Sequence, residues 1–148
     1  MKLLGLCLLA ISYFCFLADV TAEKTLVERK LEEILLQINR MNQSLQHNEV
    51  LLNTPPQNIQ DCCCVSALRC FHKNLKYLNV AERQVHVKLQ KSLKHSLTER
   101  GLDFCNQGKA ESTTCQNCTT YPKANSKEFV IRLESLIQRA LTKRKMKI

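Results

Sequence analysis

Two cysteines seven residues apart, and two more in a Cys-x-x-Cys, constrain this chain before its composition does. Cys63 and Cys70 stand in Asp61-Cys-Cys-Cys-Val-Ser-Ala-Leu-Arg-Cys-Phe71, and Cys115 and Cys118 in Thr114-Cys-Gln-Asn-Cys-Thr119. At ~100° per residue, seven helical steps bring Cys70 back to within about 20° of Cys63, so both thiols leave one helix face about two turns apart. Such a face can bond to two cysteines of another segment and tie it down.

Residues 1–22 read as a secretory signal peptide. Lys2 supplies the positive end, an apolar run extends from Leu3 to Ala18, and Val20-Thr21-Ala22 offers small residues for cleavage before Glu23. A polar helical pattern follows instead of a stop-transfer cluster, so no transmembrane span and no membrane insertion are expected. The expected product is one extracellular domain, residues 23–148, whose thiols meet an oxidising compartment. Nine cysteines less Cys7 and Cys15 leave seven there, and an odd number requires a free thiol or an intermolecular bond. Cys62, Cys63 and Cys64 are consecutive, so all three facing one partner segment is not expected.

Four helical patterns are legible. In residues about 24–46, Leu26, Leu31, Ile34, Leu35, Ile38, Met41 and Leu45 form one apolar stripe. Asn53-Thr54-Pro55-Pro56 cannot continue it. A second helix, about 61–78, starts at Asp61 as N-cap and buries Cys64, Ala67, Leu68, Phe71, Leu75 and Leu78. A third, about 80–97, is basic and repeats Val85, Leu89, Leu93 and Leu97 at four, although residues 85–89 also alternate like a strand. Residues 98–126 carry no sustained period and read as one long connection. The last helix, about 127–143, has the cleanest stripe, with Asn125 and Glu128 resembling a capping box. The fold class is therefore all-α, with four helices and two long connections that permit up-up-down-down order.

The chemistry-bearing patterns point away from catalysis. A redox Cys-x-x-Cys opens a helix in an α/β pattern, whereas Cys115 and Cys118 lie in a loop of a helical chain, so a structural disulfide role is expected. Cys63 and Cys70 are not a zinc knuckle, and the four histidines (His47, His72, His86, His95) are scattered, with His86 and His95 read as solvated. No enzyme activity, metal or cofactor is expected. Asn42-Gln-Ser44 and Asn117-Cys-Thr119 are glycosylation acceptors. A formal charge of +9 suggests acidic partners, with heparan sulfate on the third helix and tail as one. Nucleic acid is disfavoured by secretion and by the lack of aromatic interleaving.

Cys63-Cys-Val-Ser-Ala-Leu-Arg-Cys70-Phe71, together with Cys115-Gln-Asn-Cys118-Thr-Thr-Tyr121-Pro-Lys123 and Lys127-Glu-Phe129-x-x-Arg132-x-x-Ser135-Leu136-x-Gln138, resembles the interleukin-2/interleukin-15/interleukin-21 family of short-chain four-helix cytokines, its interleukin-21 branch most closely. The match covers roughly half of residues 23–148. It implies an up-up-down-down bundle stapled by Cys63–Cys115 and Cys70–Cys118. It implies a private receptor chain met by the first and third helices, with Arg29, Arg83, Lys88 and Lys91 as contacts. It also implies a common gamma chain met at Gln138 of the last helix. Signalling through Janus kinases and STAT factors in lymphocytes would follow from a monomeric ligand. Cys62, Cys64 and Cys105 depart from the mammalian pattern, which points to a non-mammalian vertebrate source and leaves Cys105 to bond Cys62 or Cys64. The competing reading is a basic, amphipathic, membrane-active host-defence protein held by disulfides.

Overall fold

The structure is a computed structural model, and it describes residues 26–46, 49–105 and 114–146. The leader assigned to residues 1–22 lies outside the described residues. α1 is described over 26–43. Val27, Leu31, Ile34, Ile38 and Met41, spaced three or four apart, are all essentially solvent-free. The stripe begins at Val27 and not at Leu26, which is 51% exposed. The helix ends at residue 43, short of the expected 46, because Leu45 forms an isolated antiparallel bridge with Val80.

The first connection contains a strand that the sequence reading missed. β1 (Leu51–Asn53) pairs antiparallel with β2 (Lys123–Asn125), in the register Leu51↔Asn125, Leu52↔Ala124, Asn53↔Lys123. Pro55 and Pro56 then lead to a 3-10 turn, Asp61–Cys63, and to α2 (Cys64–Leu75). Asp61 is not an N-cap: its carboxylate accepts from Arg139 and Lys143 instead.

The expected third helix, 80–97, is two helices. α3 (Arg83–Lys94) stops at His95, whose ψ of 142° is extended, and α4 (Ser96–Leu102) starts at once. The break is satisfied locally, since Leu97 N donates to His95 Nδ1 (3.1 Å) and the buried Thr98 hydroxyl donates to Ser92 O (2.6 Å). α4 and β2 therefore occupy both ends of what read as one long connection. α5 (Ser126–Met146) completes the chain. Glu128 N donates to Asn125 Oδ1 at 2.8 Å, but the Glu128 carboxylate turns to Arg132, so the capping box is only half made.

The elements share one buried cluster. Phe71 of α2 meets Phe129 of α5 edge to face at 5.1 Å, in a cluster that also holds Leu31, Leu68, Leu89, Leu102 and Leu133. Gly101 of α4 packs on α1: a Cβ there would lie 3.1 Å from Val27 and 3.3 Å from Leu31. The observed class is thus predominantly helical and bundle-like, with a small two-stranded ribbon.

The ends of the helices meet in a consistent way. Ala81 N, just before α3, donates to Ser44 O just after α1 (2.9 Å). His86 Nε2 of α3 lies 2.7 Å from Leu75 O at the end of α2. Asp61, before α2, meets Arg139 and Lys143 late in α5, and Glu32, early in α1, meets Lys145 at 3.9 Å. Among the described residues, no helix is long and apolar enough to cross a membrane.

Candidate functional site

The outer faces of α1 and α3 form a groove. On α1, the apolar stripe turns Lys30, Glu33, Leu36, Gln37 and Arg40 outward, and on α3 burial of Leu89, Ser92 and Leu93 leaves Arg83, Lys88 and Lys91 exposed. Gln37 and Arg40 line one part of the groove with Glu82, Arg83, Val85 and Lys88, and Lys30, Glu33 and Leu36 line its other part with Lys88 and Lys91. Five cations thus face two carboxylates, and one of those carboxylates is engaged: Glu33 accepts from Lys30 (3.4 Å) and Gln37 (3.1 Å). A small-molecule site needs predominantly apolar walls and a few fixed polar groups. This groove is walled largely by the aliphatic stems of long side chains whose many charged ends stand in solvent, so it suits a charged macromolecular surface.

Of the residues expected to touch a receptor, Arg83, Lys88 and Lys91 share this groove. Arg29 is exposed on α1 but does not line it. Gln138 is elsewhere, on the outer side of α5, where it donates to Glu134 Oε1 at 3.2 Å. Lys127, Ile131, Gln138, Thr142 and Lys145 follow one another at helical spacing along that exposed side. Lys30, Leu36, Gln37 and Arg40 were not singled out from sequence. Their alternation with buried positions was visible, but which helix lies opposite them was not.

The second connection is held to the 61–63 turn and the middle of α2 by three disulfides: Cys62–Cys105, Cys63–Cys115 and Cys70–Cys118, with Cα separations of 4.6, 5.5 and 5.3 Å. Cys62 and Cys63 therefore both reach the same connection, and their diverging side chains are met at two places on it, Cys105 and Cys115, ten positions apart. Cys64 is a buried free thiol; burial pushes its pKa up, and Sγ lies 3.6 Å from Gln60 O.

The bonded face continues into a polar knot. Asn74 donates to Asn53 O (3.1 Å) and lies 3.4 Å from Cys118 Sγ. Asn53 Nδ2 donates to Tyr121 O (2.8 Å). These bonds fix β1, α2 and the chain entering α5 against one another. Both glycosylation acceptors are exposed; Asn117 also accepts from Thr119 N at 3.5 Å, and its neighbour Cys118 is bonded.

His47 lies outside the described residues. Two of the described histidines are structural and not merely solvated: His86 joins α3 to the Leu75 carbonyl at the end of α2, and His95 caps α4. His72 is half-buried, and burial together with the charge of Lys94 lowers its pKa. Among the described residues, no three His, Cys, Asp or Glu side chains are grouped to hold a metal ion.

At the far end of α5, Lys143 bonds Asp61 and also stands over the Phe104 ring, 4.7 Å from its centroid. The Lys143 and Arg139 hydrogen bonds hold the Asp61 carboxyl below its ordinary range against the opposing effect of burial. Arg144 donates to Arg100 O (3.3 Å) and Lys145 meets Glu32, so the basic tail, read as a charge cluster at a helix end, is used to dock α5. No family model matches the chain, and no solved structure matches it.

Proposed function

We propose that the chain is a secreted cytokine of the interleukin-21 type, acting by bringing two receptor chains together. The observation that supports it most is the pair of separate exposed faces, a cationic groove between α1 and α3 and the polar side of α5 that carries Gln138. One face would meet a private receptor chain through Arg83, Lys88 and Lys91, and the other the common gamma chain through Gln138. A ligand of this kind needs no catalytic group. It needs rigid surfaces, because preorganisation lowers the entropy cost of binding. Three disulfides and the Asn74 knot supply such rigidity.

We read the bundle as up-up-down-down. In support, Glu32 in the first half of α1 and Asp61 just before α2 both pair with the end of α5, and α1 and α2 each end beside the start of α3. Secretion, a monomeric state, and glycosylation at exposed Asn42 and at Asn117 belong to the same reading, and the exposure of both asparagines accords with it.

The test is STAT phosphorylation in cells carrying the private chain, the common gamma chain, both or neither, with direct binding to each purified chain. Response in double-positive cells only is expected. Gln138→Asp should weaken common gamma chain binding about tenfold or more, and Lys88→Glu with Lys91→Glu should do the same for the private chain. Absence of binding to both chains, or leakage of receptor-free liposomes at the active concentration, would sink the cytokine reading.

A further inference from the structure

We infer that the α1–α3 groove is also a binding site for a sulfated polysaccharide. The groove is built for a linear polyanion in three respects. Its cations are available: among the described residues, the side chains of Arg40, Arg83, Lys88 and Lys91 enter no hydrogen bond or ion pair, whereas the cations at the end of α5 are engaged. Its cations are aligned: Arg83 to Lys91 spans eight residues of one helix, about 12 Å along the axis, with Arg40 on the facing wall. Its chemistry matches sulfate, since guanidinium forks and ammonium groups together donate to tetrahedral oxyanions without needing a buried pocket.

The alternatives among polyanions fit less well. Leu36 (64% exposed) and Val87 (41% exposed) are single apolar side chains on this surface, not the continuous apolar face that insertion into a lipid headgroup layer uses. Among the described residues, no aromatic side chain lines the groove, so there is no platform on which bases could stack. A sulfated chain asks for neither. Because Arg83, Lys88 and Lys91 serve both this site and the proposed receptor contact, glycan and private receptor chain would exclude one another.

This inference rests on the charge layout and not on the cytokine reading, and it is tested without any receptor. Binding of a size-defined heparin oligosaccharide is measured by calorimetry at about 0.15 M salt. The natural chain is compared with Arg83→Ser/Lys88→Ser/Lys91→Ser and with Lys123→Ser/Lys127→Ser/Lys145→Ser, which removes equal charge elsewhere. The groove variant should bind about tenfold or more weakly and show a shallower salt dependence, since fewer counterions are released. The control should stay within about threefold, and circular dichroism should be the same for all three. Equal weakening of the two variants, absence of heparin binding, or equal or tighter binding of desulfated heparin, anionic vesicles or single-stranded DNA would each overturn the inference.

Discussion

Asn74 Nδ2 donates to the carbonyl oxygen of Asn53 at 3.1 Å, joining the last turn of α2 to the end of β1. Asn74 is 9% exposed, so water cannot replace the bond cheaply. Asn74→Ala should lower stability by about 1–2 kcal/mol, the cost of losing the buried amide's bond to the half-buried Asn53 carbonyl. Urea unfolding measures it, and a loss below about 0.5 kcal/mol would show that the knot is not under load.

Acidification should destabilise the fold in two stages. His72 has its folded pKa below the ordinary 6.5, so the unfolded chain binds the extra proton first. Stability due to neutral His72 is whole above about 6.5 and falls as the pH drops toward its folded value. Asp61 also has a depressed folded pKa, so its contribution is whole above the ordinary 3.8 and is lost as the pH falls through the folded value. Thermal midpoints across pH should show that His72→Gln removes the upper stage only and Asp61→Asn the lower stage only. A wild-type midpoint independent of pH between 7 and 5 would contradict the His72 assignment.

The three disulfides close loops of 43, 52 and 48 residues over the same stretch of chain. A lone bond of that span is worth about 4 kcal/mol, but each further bond divides a ring already closed. Cys63→Ala/Cys115→Ala should therefore cost no more than about 3 kcal/mol and leave helicity intact, whereas full reduction should cost far more. Losing as much stability from the double variant as from full reduction would refute the shared load.

The Cys64 thiol should be inert in the folded protein, being fully buried with a raised pKa. In the chain lacking residues 1–22, labelling by an aromatic disulfide reagent should be at least about a hundredfold slower in buffer than in urea, the factor for an opening of about 3 kcal/mol. Rapid labelling of one thiol in buffer would mean a different pairing.

What was legible in the chain follows from what a local period can carry. Ile34, Ile38 and Met41, or Phe129, Leu133 and Ile137, repeat once per turn, and their helices form there. The break at His95 was invisible because Leu89, Leu93 and Leu97 keep the period across it. Gly101 falls in the stretch that reads as one long connection, yet it lies inside α4, where its missing Cβ admits Val27 and Leu31. The β1–β2 ribbon pairs two three-residue stretches about 70 positions apart, and neither is long enough to alternate. The groove was half legible: Lys88 and Lys91 stand out as charges, whereas Arg40 matters only once α1 lies beside α3.

The seven cysteines that follow residue 22 can make three bonds in about a hundred ways. Cys62, Cys63 and Cys64 differ from one another by a single step along the backbone, and in the folded chain one bonds Cys105, one bonds Cys115 and one is turned into the core. Only the phase of the turn at 61–63 tells them apart. The yield of native protein is therefore set by timing: oxidant that arrives before α2 has wound meets three interchangeable sulfurs, and oxidant that arrives afterwards meets two.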